Sequence, residues 1–300
     1  DGREIAAEAY SAAVPTEMAP FATSPTKTAI IAFDTDAEWV IRRHGSSTTN
    51  TINHMAQLVA TMTIIYERDA GPAKDQGVRI LQGYSIIRPT EAEDPYSDDE
   101  GPVSDAKVIE FRDYWRNNYP ISVVKRAVAA LLSGRQGPAC TTTCSASGRA
   151  YVGALCGTSP TELGFSVNQL FNANYGIDLD MLILAHEVGH NFGSPHTHCY
   201  PNPKPDTCFA SEGGTNCFSG TPSCPASTSY NGVTTRGTLM SYCHTLSGCD
   251  QDELVFHPTS VSNYLLPNIN GASCLATVPG VVVPSGPNSI GISPTSGPLA

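Results

Sequence analysis

The segment LAHEVGHNFGSPHTHC, residues 184–199, contains the side chains best suited to chemistry. His186 and His190 are four residues apart, so on a helix both imidazoles lie on one face, one turn apart, where they can bind the same metal ion. Gly193 lets the chain leave this helix, and three residues later His196 can turn back as a third ligand. Three neutral imidazoles leave a fourth position for water, which is typical of a catalytic zinc rather than a structural one.

Glu187 follows the first histidine and is not needed as a ligand, so we predict that it acts as the catalytic base. Zinc lowers the pKa of a bound water toward about 7, and a neighbouring carboxylate can accept its proton and pass it to a leaving amine. The pattern His-Glu-x-x-His occurs by chance, whereas the longer pattern that ends in Gly-x-x-His is far more specific. His198 is an alternative third ligand, but the position of Gly193 favours His196.

These residues resemble the zinc motif of the metzincin metallopeptidases. Met240, in the later turn TLMSY, extends the resemblance, and we predict that it packs beneath the metal without binding it. Among metzincins, HEVGHNFG preceded by the strand-like AYVGALC is most similar to the reprolysin (adamalysin, ADAM-like) family. The resemblance covers roughly residues 27–275 and implies a secreted zinc metalloendopeptidase (EC 3.4.24 class) that cleaves extended polypeptides. It also implies a disulfide between Cys156 and Cys274.

Two departures from the reprolysin pattern concern the surroundings of the site. The family usually has Asp directly after its third histidine, whereas this chain has Thr197. The family's calcium site uses acidic residues that are missing from the matching stretches around Thr28 and Pro120. Residues 91–102, EAEDPYSDDEGP, are acidic but lack the alternating spacing of a calcium loop, so we predict a solvated surface loop. The sequence therefore supports zinc as the cofactor and does not support calcium.

Tyr242 is a second candidate catalytic residue, because it follows Met240 by two residues. This placement resembles the Met-Ser-Tyr turn of serralysins and the Met-x-Tyr turn of astacins, in which the phenol reaches the zinc or the developing oxyanion. The resemblance implies the same role here. The alternative is a tyrosine that packs beside the disulfide of Cys243, with its hydroxyl bonded to the backbone. The sequence leaves both interpretations open.

The elements that must position these residues alternate between strands and helices. Lys27–Phe33 and Val78–Ile87 are predicted as buried strands, and a helix with apolar residues at helical spacing, Ile52 to Tyr66, connects them. This order predicts a parallel pair with a right-handed crossover. The further predicted elements are a helix capped by Ser104, a helix over about Ile121–Leu132, and strands over Gly148–Cys156 and Phe165–Leu170.

The elements predict an α/β fold with a mixed sheet. The metzincin resemblance implies a twisted five-stranded sheet with helices, plus a loop-rich, disulfide-stapled C-terminal subdomain. We expect a catalytic domain over residues 27–275, with the cleft between an upper subdomain that ends at about Gly193 and a lower one. An Ala/Pro/Thr-rich arm, residues 1–26, precedes it. The Gly/Pro-rich residues 276–300 are predicted as a linker, whose end GISPTSGPLA resembles the start of IPT/TIG-like domains.

Charge and cysteine content indicate where such a protein works. The chain has 17 Lys and Arg against 28 Asp and Glu and no long basic run, so nucleic acid and anionic membranes are poor partners. Its longest apolar stretch, residues 127–132, is far too short to span a membrane. Ten cysteines, none before Cys140, predict an oxidising compartment and five disulfides, since Cys-x2-Cys pairs typical of structural zinc are missing. We expect a processed, secreted monomer.

Two functions of other classes stay open. A zinc-containing binding or adhesion module without catalysis would be expected to lose Glu187 first, and the residue is present. A zinc hydrolase of a non-peptide substrate could use the same chemistry. The remaining histidines have no partner pattern and are predicted as ordinary surface or core residues: His44, His54, His244 and His257.

Overall fold

The computed structural model describes residues 27–70, 78–97, 104–135, 148–157, 162–170, 177–249 and 251–275. The predicted arm and the predicted linker lie outside the described residues, as do residues 98–102 of the acidic loop. Cys140 and Cys144 also lie outside them, so the fifth predicted disulfide stays a prediction.

A five-stranded sheet with the strand order β2-β1-β3-β5-β4 forms the centre of the described chain. Its strands are β1 (Lys27–Thr35), β2 (Val78–Ile86), β3 (Val128–Ser133), β4 (Gly148–Ala150) and β5 (Phe165–Gln169). Four strands are parallel, and the edge strand β4 runs antiparallel to β5. The predicted α/β fold with a mixed sheet is confirmed.

Helices cover both faces of the sheet. The long helices are α1 (Thr48–Asp69), α2 (Asp105–Asn118) and α3 (Ile177–Asn191). Apolar residues of α1 and α3 share one core cluster with one face of the sheet, whereas those of α2 share another cluster with the opposite face. Helix α2 begins after Ser104 as predicted, although the serine hydroxyl makes no capping hydrogen bond.

The predicted helix over about Ile121–Leu132 is wrong, because this run contains the central strand β3. All six residues of β3 are buried, Val128 and Ala130 against the cluster of α1 and α3, and Ala129 and Leu131 against that of α2. A strand that is buried on both faces is apolar at every position, and such a run cannot be distinguished from a buried helix by periodicity. Pairing with β1 and β5 on either side outweighs the helix preference of Ala and Leu in this segment.

The edge strand is shorter than the predicted Gly148–Cys156, because only Gly148–Ala150 is paired. The chain then turns at Gly153, whose φ of +66° favours glycine. The Gly153 N–H donates to the carbonyl of His190 at 2.9 Å, and the next N–H donates to the carbonyl of Asn191 at 2.9 Å. The segment after β4 therefore binds the C-terminal end of α3 instead of extending the sheet.

The region after α3 has few regular elements and is held by disulfides, as predicted. Its short elements are the hairpin β6 (Thr228–Tyr230) and β7 (Val233–Thr235), a helical turn α4 (Pro258–Ser260), a π-helical turn (Val261–Leu265) and α5 (Leu266–Gly271). The described disulfides are Cys156–Cys274, Cys199–Cys217, Cys208–Cys243 and Cys224–Cys249. The pairing of Cys156 with Cys274, implied by the reprolysin resemblance, is confirmed.

Candidate active site

Helix α3 carries the first two histidines of the motif. It is apolar nearly all round, and it is buried from Ile183 to its end at Asn191. Gly193 leaves the helix with a φ of +107°, and a Cβ there would also collide with the side chain of Asn268. Glycine is thus required for both conformation and space, and the chain can turn back toward the helix at His196.

The structure brings His186, His190 and His196 together, with one nitrogen of each within 4.8 Å of the others. The Nδ1 atom of each ring lies 2.6 Å from an oxygen: the Leu239 carbonyl for His186, the Ser194 carbonyl for His190 and Glu212 Oε2 for His196. Carbonyl and carboxylate oxygens only accept hydrogen bonds, so each Nδ1 must donate. A neutral ring with its proton on Nδ1 has an unprotonated Nε2 that can bind a metal ion.

The geometry of the three rings fits a bound cation. The Nε2 atoms of His190 and His196 are 3.1 Å apart, and with both protons on Nδ1 their lone pairs face each other. A metal ion between them removes this repulsion. Burial, followed by the neighbouring imidazoles, lowers the pKa of His186 well below its ordinary value, and it lowers that of His190 to about 3. Three neutral imidazoles are the donor set that zinc prefers.

Glu187 lies beside this cluster and is 7% exposed. Its carboxylate occupies the space where a side chain at residue 148 would be, because a Cβ on Gly148 would overlap it. Burial raises the pKa of Glu187 to about 8, and the charge of Arg149 partly opposes this. Within the described chain, Glu187 belongs to none of the sets of side chains whose ligand atoms lie close enough together to hold a metal ion.

Tyr242 lies against the histidines. Its ring stacks on that of His186 at 5.9 Å between centroids with an interplanar angle of 12°, and its centroid is 4.3 Å from that of His196. Within the described chain no hydrogen bond involves its hydroxyl, so the backbone bond of the alternative interpretation is not formed there. Burial, followed by the charges of Glu187 and Glu212, raises the pKa of Tyr242.

Met240 packs beneath the site, as predicted. Its side chain is fully buried in the main core cluster, and a Cβ on Gly189 would collide with its sulfur. The absence of a side chain at residue 189 thus lets the turn approach α3 closely. His186 is bonded to the same turn through the Leu239 carbonyl.

Sequence reasoning missed two carboxylates near the third histidine. Thr197, which replaces the usual Asp, donates from its hydroxyl to Asp206, and the carbonyl oxygen of Met240 lies 3.2 Å from the same hydroxyl. A carboxylate thus lies beside residue 197 although the residue itself has none. Glu212 accepts from His196 and also from His198, whose Nε2 is 2.8 Å away. The structure leaves His198 outside the cluster of three histidines. No spacing in the sequence links these residues, since they come from an irregular loop.

Two cavities flank the site. The first, of about 220 Å³, lies beside Glu187 and has both apolar and polar lining residues, which include Leu179, Leu182, Ile183 and Leu239, and Ser241, His244, Thr245 and Asp252. The second, of about 330 Å³, reaches His190, His196 and Glu212. Arg149, on the edge strand β4, borders both cavities. The histidine cluster is therefore accessible from a cleft along β4.

Three further histidines make their contacts elsewhere in the described chain. The rings of His44 and His54 contact each other at 5.2 Å and both contact Trp39. His257 contacts Tyr230. His244 is hydrogen-bonded to Asp252, and both residues line the first cavity, which the sequence did not predict.

Comparisons with known proteins identify the family. The Reprolysin_5 model of metallo-peptidase family M12 matches residues 24–252, and no curated protein matches. One similar solved structure, described as a chaperone-substrate complex, has 12% sequence identity and a TM-score of 0.42. The match covers 82% of this chain and 36% of the chain in that structure. Metalloproteinase-II from Bacteroides fragilis has 17% sequence identity and a TM-score of 0.36. The match covers 61% of this chain and 45% of the chain in that structure.

This chain thus spans less than half the length of either matched structure. The described residues contain no helix with the length and apolarity needed to cross a membrane. The family match covers more than half of the chain and includes the histidine motif and the Met240 turn. The chain belongs to metallo-peptidase family M12, and its reprolysin-like character is confirmed.

Proposed function

We propose that this protein is a secreted zinc endopeptidase that hydrolyses extended polypeptides. The observation that carries the proposal is the convergence of three Nε2 atoms, each on a ring whose Nδ1 donates to an oxygen, beside the buried carboxylate of Glu187. The described disulfides support an oxidising, extracellular location. We propose that the catalytic domain spans residues 27–275 and acts as a monomer.

His186, His190 and His196 would hold zinc through Nε2. Zinc, when bound, supplies a Lewis acid that polarises the scissile carbonyl and lowers the pKa of a water molecule. Glu187 accepts a proton from the attacking water at its carboxylate and returns it to the nitrogen of the leaving amine. Tyr242 donates a hydrogen bond from its hydroxyl to the oxyanion, and the lack of a described partner for that hydroxyl supports this role.

The edge strand β4 provides a template for an extended substrate. It pairs with β5 on one side, and none of the described strands pairs with its other side. A polypeptide can add to such an edge by main-chain hydrogen bonds, which places one of its peptide bonds next to the histidine cluster. The cavity of about 220 Å³ beside Glu187 would receive a substrate side chain.

This edge strand also favours peptide hydrolysis over the other two functions. A small non-peptide substrate would not pair with the main chain of an edge strand. A binding module without catalysis would not need the space that Gly148 leaves for the Glu187 carboxylate. Both remain outcomes of the following test.

The test is hydrolysis of a reduced and alkylated protein by the purified enzyme. We expect cleavage to stop with a zinc chelator and to return with one equivalent of zinc. Glu187→Gln should keep zinc but lose at least about 10²-fold in kcat, because only the base is removed. Near-native turnover by the zinc-loaded variant would contradict the role of Glu187, and no chelator-sensitive cleavage by the wild type would contradict the function.

A further inference from the structure

Glu212 reaches the active site from residues 211–216, a stretch of loop that is otherwise exposed. Its neighbours Ser211, Gly213 and Gly214 are exposed, whereas the Glu212 side chain is only 32% exposed. A single oxygen, Oε2, accepts from His196 Nδ1 at 2.6 Å and from His198 Nε2 at 2.8 Å. The carboxylate is therefore turned inward by two imidazole donors.

His196 depends on this contact more than the other two histidines depend on theirs. His186 and His190 lie on the rigid helix α3, and their Nδ1 atoms donate to backbone carbonyls. His196 lies beyond the helix end, and its Nδ1 partner is a side chain. A charged acceptor makes a stronger hydrogen bond than a neutral carbonyl, and it makes the opposite ring nitrogen a better metal ligand.

His198 completes the support. It is fully buried, and its ring stacks on that of His196 at 5.4 Å between centroids with an interplanar angle of 10°. The Phe209 ring covers it at 5.4 Å. Because Nε2 of this ring donates to the same carboxylate oxygen, Glu212 is held by both histidines and cannot rotate away without losing two charge-assisted bonds.

The loop that carries Glu212 is bound to the ligand segment at both ends. The disulfide Cys199–Cys217 closes it, and the Phe218 N–H donates to the carbonyl of His198 at 2.9 Å. Lys204 donates to the carbonyls of Tyr200 and Asn216 across the loop. The loop thus returns to the backbone that follows His196 and presents the carboxylate of Glu212 there.

We infer that Glu212, held in place by His198, is a positioning residue that orients His196 for zinc and strengthens its binding. The inference rests on the proposed function. It assigns the irregular loop after the motif, which carries no recognisable pattern, a direct part in metal affinity.

The test measures zinc affinity of the apo-protein by competition with a chromophoric chelator, without any assay of activity. Glu212→Gln should weaken zinc binding by about 10- to 100-fold, the usual effect of losing such a partner. Glu253→Gln is the matched control, because it removes the same charge from an exposed residue whose side chain has no described partner. We expect this control to bind zinc within about twofold of the wild type.

A second measurement separates positioning from folding. The zinc-loaded wild type should show a slowly exchanging imidazole Nδ1–H of His196 by NMR, and Glu212→Ala should lose this signal while keeping the unfolding temperature of the apo-protein. Wild-type zinc affinity in Glu212→Gln, or no such protected proton in the wild type, would overturn the inference. If the wild type itself binds no zinc, the proposed function fails as well, so the two failures are distinguishable.

Discussion

Glu187 can keep its carboxylate buried at the edge of the cleft because residue 148 has no side chain. The motif predicted Glu187 as the base, but the sequence could not predict Gly148 as its neighbour. The two residues are far apart in the chain and meet only because β4 lies alongside α3. The same holds for Leu239, the Nδ1 partner of His186, whereas the pairing of His186 with His190 follows from helical spacing.

Gly148→Ala tests this contact. The added Cβ would overlap the Glu187 carboxylate, so we expect at least about a tenfold loss in kcat with zinc still bound, since the base is displaced. Gly271→Ala is the control, because a Cβ there meets nothing within 4 Å. Unchanged kcat in Gly148→Ala at full zinc occupancy would show that the carboxylate works from another position.

Tyr242→Phe removes a hydroxyl that has no described partner and leaves the ring on His186. If the hydroxyl donates to the oxyanion, kcat should fall by roughly 10- to 10³-fold with little change in KM. Tyr230→Phe, in the β6-β7 hairpin, should leave both constants unchanged. A Tyr242→Phe enzyme with wild-type kcat would return this tyrosine to a packing role.

At the scale of elements, the strands β1, β2 and β5 and the helices α1 and α2 could be predicted, because each shows a clear period or an isolated apolar run. The segment of β3 could not, since burial on both faces removes the alternation that identifies a strand. The end of β4 was missed for a different reason. Its backbone is bonded to the end of α3, a contact that local sequence does not record.

Asp36, just after β1, is hydrogen-bonded to the backbone that follows β1 and β3, and its raised pKa predicts that stability depends on pH. Its Oδ1 accepts from the backbone N–H groups of Trp39 and Gly134, each at 2.8 Å. Asp36 and Glu38 share one nearby guanidinium, that of Arg135. Burial, followed by the charge of Glu38, raises the pKa of Asp36 from 3.8 to about 7. The folded protein thus binds a proton that the unfolded chain releases.

This contribution to stability is fully present below about pH 4 and is lost as the pH rises through about 7. Between about pH 5 and 8, the free energy of unfolding of the wild type should fall by about 2–3 kcal/mol more than that of Asp36→Asn, which does not titrate. Urea unfolding of both proteins in chelator, which removes the pH dependence of zinc binding, measures this difference. Parallel curves would mean that Asp36 is ionised throughout the range.

At the scale of the molecule, disulfides add to the apolar packing of the region after α3, part of which belongs to the main apolar cluster of the helices and the sheet. A separate cluster in this region consists of the half-cystines Cys208, Cys243 and Cys249, with Cys224 and Leu246 packed against them. The cysteine count predicted a stapled region. It could not predict which cysteines pair, beyond the pair implied by family resemblance, because many pairings fit the same count.

Removing Cys208–Cys243 should therefore affect both stability and catalysis, since Cys243 directly follows Tyr242. The double alanine variant should lose about 3–4 kcal/mol of unfolding free energy and also show a lower kcat. Removing Cys224–Cys249, which closes a loop of similar length, should cost about as much stability without the loss in kcat. Equal kcat in the two variants would show that the disulfide does not position Tyr242.

The central claim is that three histidines hold one zinc beside a free carboxylate. Anomalous diffraction at the zinc edge, on crystals of the zinc-loaded protein, tests it most directly. We predict one zinc per chain, bonded to Nε2 of His186, His190 and His196 at about 2.0–2.1 Å, with Glu187 outside bonding distance. No zinc at this site, or zinc held by His198 and Glu212 instead, would contradict the account.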